Sequence, residues 1–207
     1  MGAEQLNGSM SEADSSFGHV GGREAREGDR SGVTSRVWSE FDVLVEAIAI
    51  MTNWRKRSSY RCTATRQERG RIETYQLEFW PGQASYLCVD DRTGVTDSLN
   101  ATTGRYIAAG DPRDLSTNQL MPEPLAARLG FPLNLPVWGR PNDAYRMVGA
   151  TRADRETVIR LQHQADAHLL GTMTVDREKR LVTRLDTVTE VCRYENIEAG
   201  TRALTDL

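Results

Sequence analysis

Four sets of residues have side chains that could do chemistry. His163 and His168 flank Asp166 in QHQADAH. Zinc-binding helices place two histidines four apart on one face. Five apart sets them roughly 140° apart around a helix, and on a strand it sends them to opposite faces. Only a loop could bring them together. The stretch does lead out of one strand-like run and into the next, and it reads as an exposed hairpin turn. Asp90 and Asp91 are adjacent carboxylates beside Arg92. Acid–base work on a glycosidic bond needs two carboxylates across a cleft, so this pair reads as a solvated turn. Asp111, Asp114 and Asp143, near Pro112, Arg113 and Arg140, read as turn formers and surface ion pairs. The three cysteines, Cys62, Cys88 and Cys192, are odd in number and lack CxxC spacing, so neither a disulfide framework nor a zinc ribbon is implied. Each lies in an alternating apolar run, which predicts a buried free thiol. No Walker loop, GxGxxG or GxSxG occurs. We therefore assign no catalytic residue, no metal and no cofactor.

Composition narrows the class. The 207 residues carry a net charge of −3, with 39% hydrophobic and 27% charged residues, as in an ordinary globular chain. No basic field points to nucleic acid. Lys56 and Lys179 are the only lysines in an arginine-rich chain. No stretch approaches the roughly 18 apolar residues of a membrane-spanning helix. The first residues have no apolar signal region, so the chain as written is expected in the cytoplasm, or exported if the true start lies upstream or a leader has been removed.

Residues 1–33 are rich in Gly, Ser, Glu and Arg and are expected to be disordered. Val37, Phe41, Leu44, Val45, Ile48 and Met51 then fall on one helical stripe. Ser39 with Asp42 predicts a capping box, and Trp38 with Val43 a hydrophobic staple. The helix is expected over 40–54, with Arg55, Lys56 and Arg57 at the negative end of its dipole. From Ser58 the period changes to two. Strands are expected at 60–65, 74–79, 84–89, 95–99 and 105–108, separated by turns at Arg69-Gly70, Trp80-Pro81-Gly82, 91–94 and Thr103-Gly104. Residues 110–121 read as loop. A short helix follows, started by Pro122 or Pro124 and closed by Gly130. A second meander covers 145–150, 156–162, 169–176, 181–186 and 190–197.

This order of helix, strands, short helix and strands resembles the LolA/LppX-type lipoprotein carriers. YQLEFWPGQASYLCVDD is similar to the strand, Pro-Gly turn and strand of that family's first half. LLGTMTVDREKRLVTRLDTVTEVCRYENIEAG is similar to its C-terminal run. The resemblance implies an α+β architecture: a curved, half-open antiparallel β-barrel or sheet of about 10 strands, with an N-terminal helix and a short middle helix on its concave face. It implies one LolA-like domain over 34–200, followed by a tail at 201–207. The family's exported carriers bear a leader and a lipobox cysteine that this chain does not show, and the arginine some of them place near the cavity has no counterpart that can be assigned here.

GFPLNLPVWGR, residues 130–140, then takes on meaning. Its prolines forbid ladder pairing and favour an extended course across the open side of the sheet. Phe131, Leu133 and Leu135 would point inward, with Val137 and Trp138 over the rim. Either these side chains complete the core, or they line an apolar pocket. The pocket would be lined by Phe41, Leu44, Ile48, Tyr75, Leu77, Leu133, Leu135 and Trp138. The function expected first is non-catalytic binding of an apolar or lipid-like ligand. The alternative is a protein-interaction or sensor module with a filled cavity, docking through the sheet's open edge or the Trp138 segment. An enzyme using His163 is the third reading.

Overall fold

Ser39 starts the first helix. The computed structural model describes residues 38–114, 125–201 and 204, and within it α1 spans Glu40–Thr52. The Ser39 hydroxyl accepts the Asp42 N–H at 3.1 Å, and the Asp42 carboxylate accepts the Ser39 N–H at 3.2 Å, forming the expected capping box. The helix stops short of Trp54. Trp54–Lys56 make a 3₁₀ turn instead, so Arg55, Lys56 and Arg57 lie beyond the last helical turn. Trp38 stands half-exposed over the Arg152 guanidinium, 4.8 Å from carbon to ring centroid.

The chain then builds β1 (Tyr60–Glu68), β2 (Arg71–Trp80), β3 (Ser85–Asp90), β4 (Thr96–Asn100), β5 (Arg105–Ala108) and β6 (Asp111–Asp114). Arg69 and Gly70 both have positive φ and join β1 to β2 in the tight turn that suits a right-twisted hairpin. A 3₁₀ turn at Leu125–Gly130 replaces the expected middle helix over its described part. The second meander is β7 (Tyr145–Ala153), β8 (Glu156–His163), β9 (Leu170–Asp176), β10 (Leu181–Asp186) and β11 (Glu190–Ala199). The expected disordered tail, the start of the middle helix at Pro122 or Pro124 and most of the C-terminal tail lie outside the described residues.

All the strands form one antiparallel sheet, ordered β6-β5-β4-β3-β2-β1-β11-β10-β9-β8-β7. The eleventh strand is β6, in a segment that reads as loop because Asp111-Pro112-Arg113-Asp114 has no apolar alternation. The two meanders join where β1 pairs with β11, with a bulge between Arg61 and Thr63. Its outermost strands, β6 and β7, do not pair with each other, so the sheet stays open. A sheet of this width curls rather than lying flat. One continuous core fills its concave side, from Leu99 on β4 to Tyr145 and Ala150 on β7. The 125–130 turn packs across β1, β2, β3, β10 and β11, while α1 packs on β7, β8 and β10.

Two devices fix the 125–130 turn to the sheet. The buried Tyr194 hydroxyl donates to the Ala126 carbonyl at 2.9 Å and accepts the Gly130 N–H at 3.2 Å. Gly130 lies so close to the Phe79 ring that a Cβ there would overlap it. Tyr194→Phe leaves two buried backbone groups without this partner, which should cost about 2–3 kcal/mol. Urea unfolding should show a lower midpoint with an unchanged m-value.

Candidate functional site

The mouth of the trough is closed by a strap running from Phe131 to Tyr145. Its backbone pairs only through a Trp138–Arg146 bridge and the bonds of Pro136 and Gly139 with Tyr145, and side chains supply the rest. Residues 132–134 form a 3₁₀ turn rather than the expected extended run. That turn breaks the period of two. Phe131, Leu135 and Val137 point into the core, whereas Leu133 is 39% exposed. The expected inward trio of Phe131, Leu133 and Leu135 is therefore corrected to Phe131, Leu135 and Val137. Phe131 is the plug: its ring meets Trp54 at 5.4 Å, Tyr86 at 5.8 Å and Phe79 at 5.9 Å, all edge-on. Burying each such side chain contributes roughly 1.5–3 kcal/mol.

The strap's carbonyls find donors in Arg140 and Trp138. Arg140 Nη1 donates to the Leu133 carbonyl at 3.1 Å and Nη2 to that of Leu135 at 2.9 Å. The Trp138 indole N–H donates to the Pro132 carbonyl at 2.9 Å. Asp143 holds Arg140 in place: its carboxylate accepts from Arg140 Nε and Nη2 and from the backbone N–H groups of Trp138 and Arg140, all at 2.9–3.1 Å. Asp143 makes the turn and the Arg140 ion pair expected from its loop position, and with only 6% of its side chain exposed it also organises the strap. Burial pushes its carboxyl up, but the Arg140 bonds and charge and the Trp138 N–H together hold it below the usual carboxylate range. Sequence reasoning expected Asp143 to pair with a neighbouring arginine but missed the role of Arg140 in serving the strap's carbonyls. The signal was present: proline-rich backbone on an apolar segment leaves carbonyls in need of donors, and an arginine follows it.

The eight expected lining residues separate into three groups. Leu77 and Leu135 are core, at 2% and 0% exposure. Leu44, Ile48, Tyr75 and Trp138 pack against the core from its rim. Phe41 and Leu133 face outward, Phe41 at 72% exposure. The helix is rotated from the expected stripe, burying Val43, Ala47, Ile50 and Met51. Glu40 has partners on the sheet in that orientation. Its carboxylate accepts the Ala150 N–H at 3.1 Å and pairs with Arg160. A Cβ at Gly149 would overlap that carboxylate. Between α1, the 125–130 turn and β10, the apolar interior leaves a void of about 10 Å³, bordered by Ile50, Met51, Trp54, Leu129 and Val182. That is room for at most about one water.

The chemically capable residues are occupied structurally. His163 packs edge-on against Tyr145 at 5.1 Å, and its Nδ1 accepts the Ala165 N–H, while His168 is exposed in the following turn. Asp90 accepts the Thr93 and Arg92 N–H groups, which hold its carboxyl below the usual range, and Asp91 accepts the Gln76 amide. The three cysteines are free and buried. Burial pushes the Cys62 and Cys88 thiols far up and Cys192 to about 12, so none offers a thiolate near neutral pH. Among the described residues no three potential metal ligands come together, and no helix is long and apolar enough to cross a membrane.

An open antiparallel sheet with one helix and short 3₁₀ turns packed on one side defines the fold class, and that fold is similar to the one seen in a MucA/MucB complex. The particular likeness is to a chain of the Pseudomonas aeruginosa MucA/MucB complex, with a TM-score of 0.50 at 15% identity over 78% of this chain and 58% of that one. The present chain thus spans less than two thirds of that protein, and at this identity the likeness establishes the fold alone. An uncharacterized conserved protein from Thermus thermophilus aligns with a TM-score of 0.46 at 10% identity, over 79% of this chain and 91% of that one. No protein-family profile and no curated protein sequence matches the chain.

Because Asp143 is more acidic folded than unfolded, its contribution is complete above about pH 4, the ordinary carboxylate value, and is lost as pH falls towards its lower folded value. Asp143→Asn should cost about 1–3 kcal/mol at pH 7. The difference from wild type should shrink below about pH 4, as read by chemical unfolding across pH.

Proposed function

We propose that this chain is a non-catalytic protein-binding module, and that its docking face is the outer stripe of α1 with the strap turn beside it. One observation carries the reading: the trough interior is packed while apolar side chains remain outside it. Phe41 is 72% exposed, Val45 46% and Leu133 39%. Phe41, Leu44, Val45 and Ile48 share one helical stripe, and the 132–134 turn packs beside α1. Large apolar groups clustered on a surface mark an interaction site.

The sheet edges are poorer candidates. The outer side of β7 is occupied by a Trp138–Arg146 bridge, by the Tyr145 N–H donating to the Pro136 carbonyl at 3.0 Å, and by Glu40 on the Ala150 N–H. On the opposite edge β6 carries Pro112 between charged residues. Both devices discourage strand addition. The fold likeness adds support, since the P. aeruginosa chain was solved in a complex of two proteins. The partner chemistry that fits is a segment presenting apolar side chains to the α1 stripe.

Binding of an apolar or lipid-like ligand is the second reading, favoured by the small void under Trp54 and Leu129. It requires the strap or α1 to move away so that the void can enlarge.

A photo-crosslinking residue at position 41, in cells producing the full chain, should give a single protein adduct, with yield reduced about tenfold by Leu133→Asp. Exposed positions tolerate such changes with little loss of stability, so the variant's melting temperature should stay near wild type. Adducts at Arg113 but none at position 41 would overturn the docking face. Lipid retained in native mass spectrometry, with no protein adduct, would favour the second reading.

A further inference from the structure

Both lysines of the chain come together in one cleft. It measures about 650 Å³ and lies at one end of the β1–β11 seam. Lys56 and Arg57 arrive from the turn after α1, and Lys179 and Arg180 from the β9–β10 hairpin. Ser58, Ser59 and Tyr60 lead into β1 along its wall, and Ile197 lies at the end of β11. Four cationic residues therefore line one cleft in a chain whose net charge is −3, and two of them, Arg57 and Arg180, also border the small interior void.

Two carboxylates also line the cleft, and each is already engaged. Glu198 pairs with Arg61 at 2.5 Å and Glu178 with Arg155 at 3.4 Å. Asp176, whose charge reaches Arg57, accepts the Lys179 backbone N–H at 2.7 Å. Among the described residues none of the four cations is in an ion pair. Arg57 is partly withdrawn from water, with its guanidinium 5.5 Å from the Tyr60 ring centroid and its Nη1 buried without a hydrogen-bond partner. A buried cationic N–H left without an acceptor is costly. Arg180, at φ 56°, closes the β9–β10 hairpin turn.

We propose that this cleft is a binding site for a compact phosphate-class dianion. Two guanidinium forks, two ammonium groups and the Ser58 and Ser59 hydroxyls supply more donors than the two oxygens of a carboxylate can use. The three or four oxygens of a phosphate match that supply. Ile197, only partly buried, gives apolar surface on which an organic substituent of the phosphate would rest. The cleft is separate from the outer stripe of α1, and the proposal stands whether or not that stripe docks a protein.

The full chain would be titrated with inorganic phosphate and with glycerol phosphate at constant ionic strength, by calorimetry and thermal shift. Separately, it would be floated with vesicles of phosphatidylcholine, with and without phosphatidic acid. Saturable phosphate binding is expected, weakened about tenfold by Arg57→Gln and by Lys179→Gln and unchanged by Arg113→Gln, since one lost charge-assisted contact corresponds to about that factor. Lys179 is exposed, so its variant tests the site even if Arg57→Gln fails to fold. Binding of the soluble phosphates alone would assign a free phosphate source, and stronger Lys179-dependent flotation with phosphatidic acid a lipid headgroup. Stabilisation by chloride equal to that by phosphate, or phosphate binding indifferent to Lys179→Gln, would overturn the proposal.

Discussion

The pairing of β1 with β11 is the constraint on which everything else rests. Each meander is a local structure held by tight turns. Only this long-range ladder, from Tyr60–Ala199 to Glu68–Glu190, makes one sheet of them and gives the core a continuous floor. The residues along the seam suit that task. Ala64, Cys62 and Cys192 are small and buried, which lets the 125–130 turn approach the sheet with Ala126 and Ala127. Tyr194 then reaches up from β11 to bind that turn. The topology has a kinetic consequence: the seam joins distant parts of the chain, so its closure entropy must be offset late in folding.

The strap shows how a segment with only one ladder bridge is held. Its prolines remove N–H donors, so the difficulty lies with carbonyls near an apolar interior. A neutral solution would need a water at each. Here Arg140 serves two carbonyls, Trp138 serves a third, and Asp143 both neutralises and orients Arg140. A charged pair in such a place is costly unless its remaining hydrogen-bonding capacity is used. The four N–H groups that donate to Asp143 meet that condition. The same strap lies along β7 and shields its edge, so one loop both plugs the core and blocks strand addition.

Much of the architecture was legible in the sequence. The Ser39–Asp42 box, the Arg69-Gly70 hairpin and the alternation of Thr157, Ile159 and Leu161 each encode a local geometry that tertiary packing did not alter. β6 was not legible, because an edge strand with one neighbour needs no apolar face. The rotation of α1 was not legible either. Apolar residues surround most of that helix, so Phe41–Val45–Ile48 and Val43–Ala47–Ile50 could each serve as the inner stripe. The stripe that packs inward is the one holding Ala47, which permits close packing on the sheet, and in that orientation Glu40 meets partners on β7 and β8 far along the chain. The expected site residues divided for the same reason: side-chain period predicts faces only while the backbone keeps one conformation, and the 132–134 turn ended that at Leu133.

The two surfaces singled out follow from one economy of composition. A chain with a filled trough keeps few reasons to expose Phe41, Val45 and Leu133, since each could be polar without harm to the core. The same holds for four cations placed together where dispersal would lower their mutual repulsion. Self-repulsion in a cleft is stronger than on an open surface, because low-dielectric walls focus the field. The buried interior accounts for stability through Phe131, Leu135 and Tyr194 without drawing on either surface.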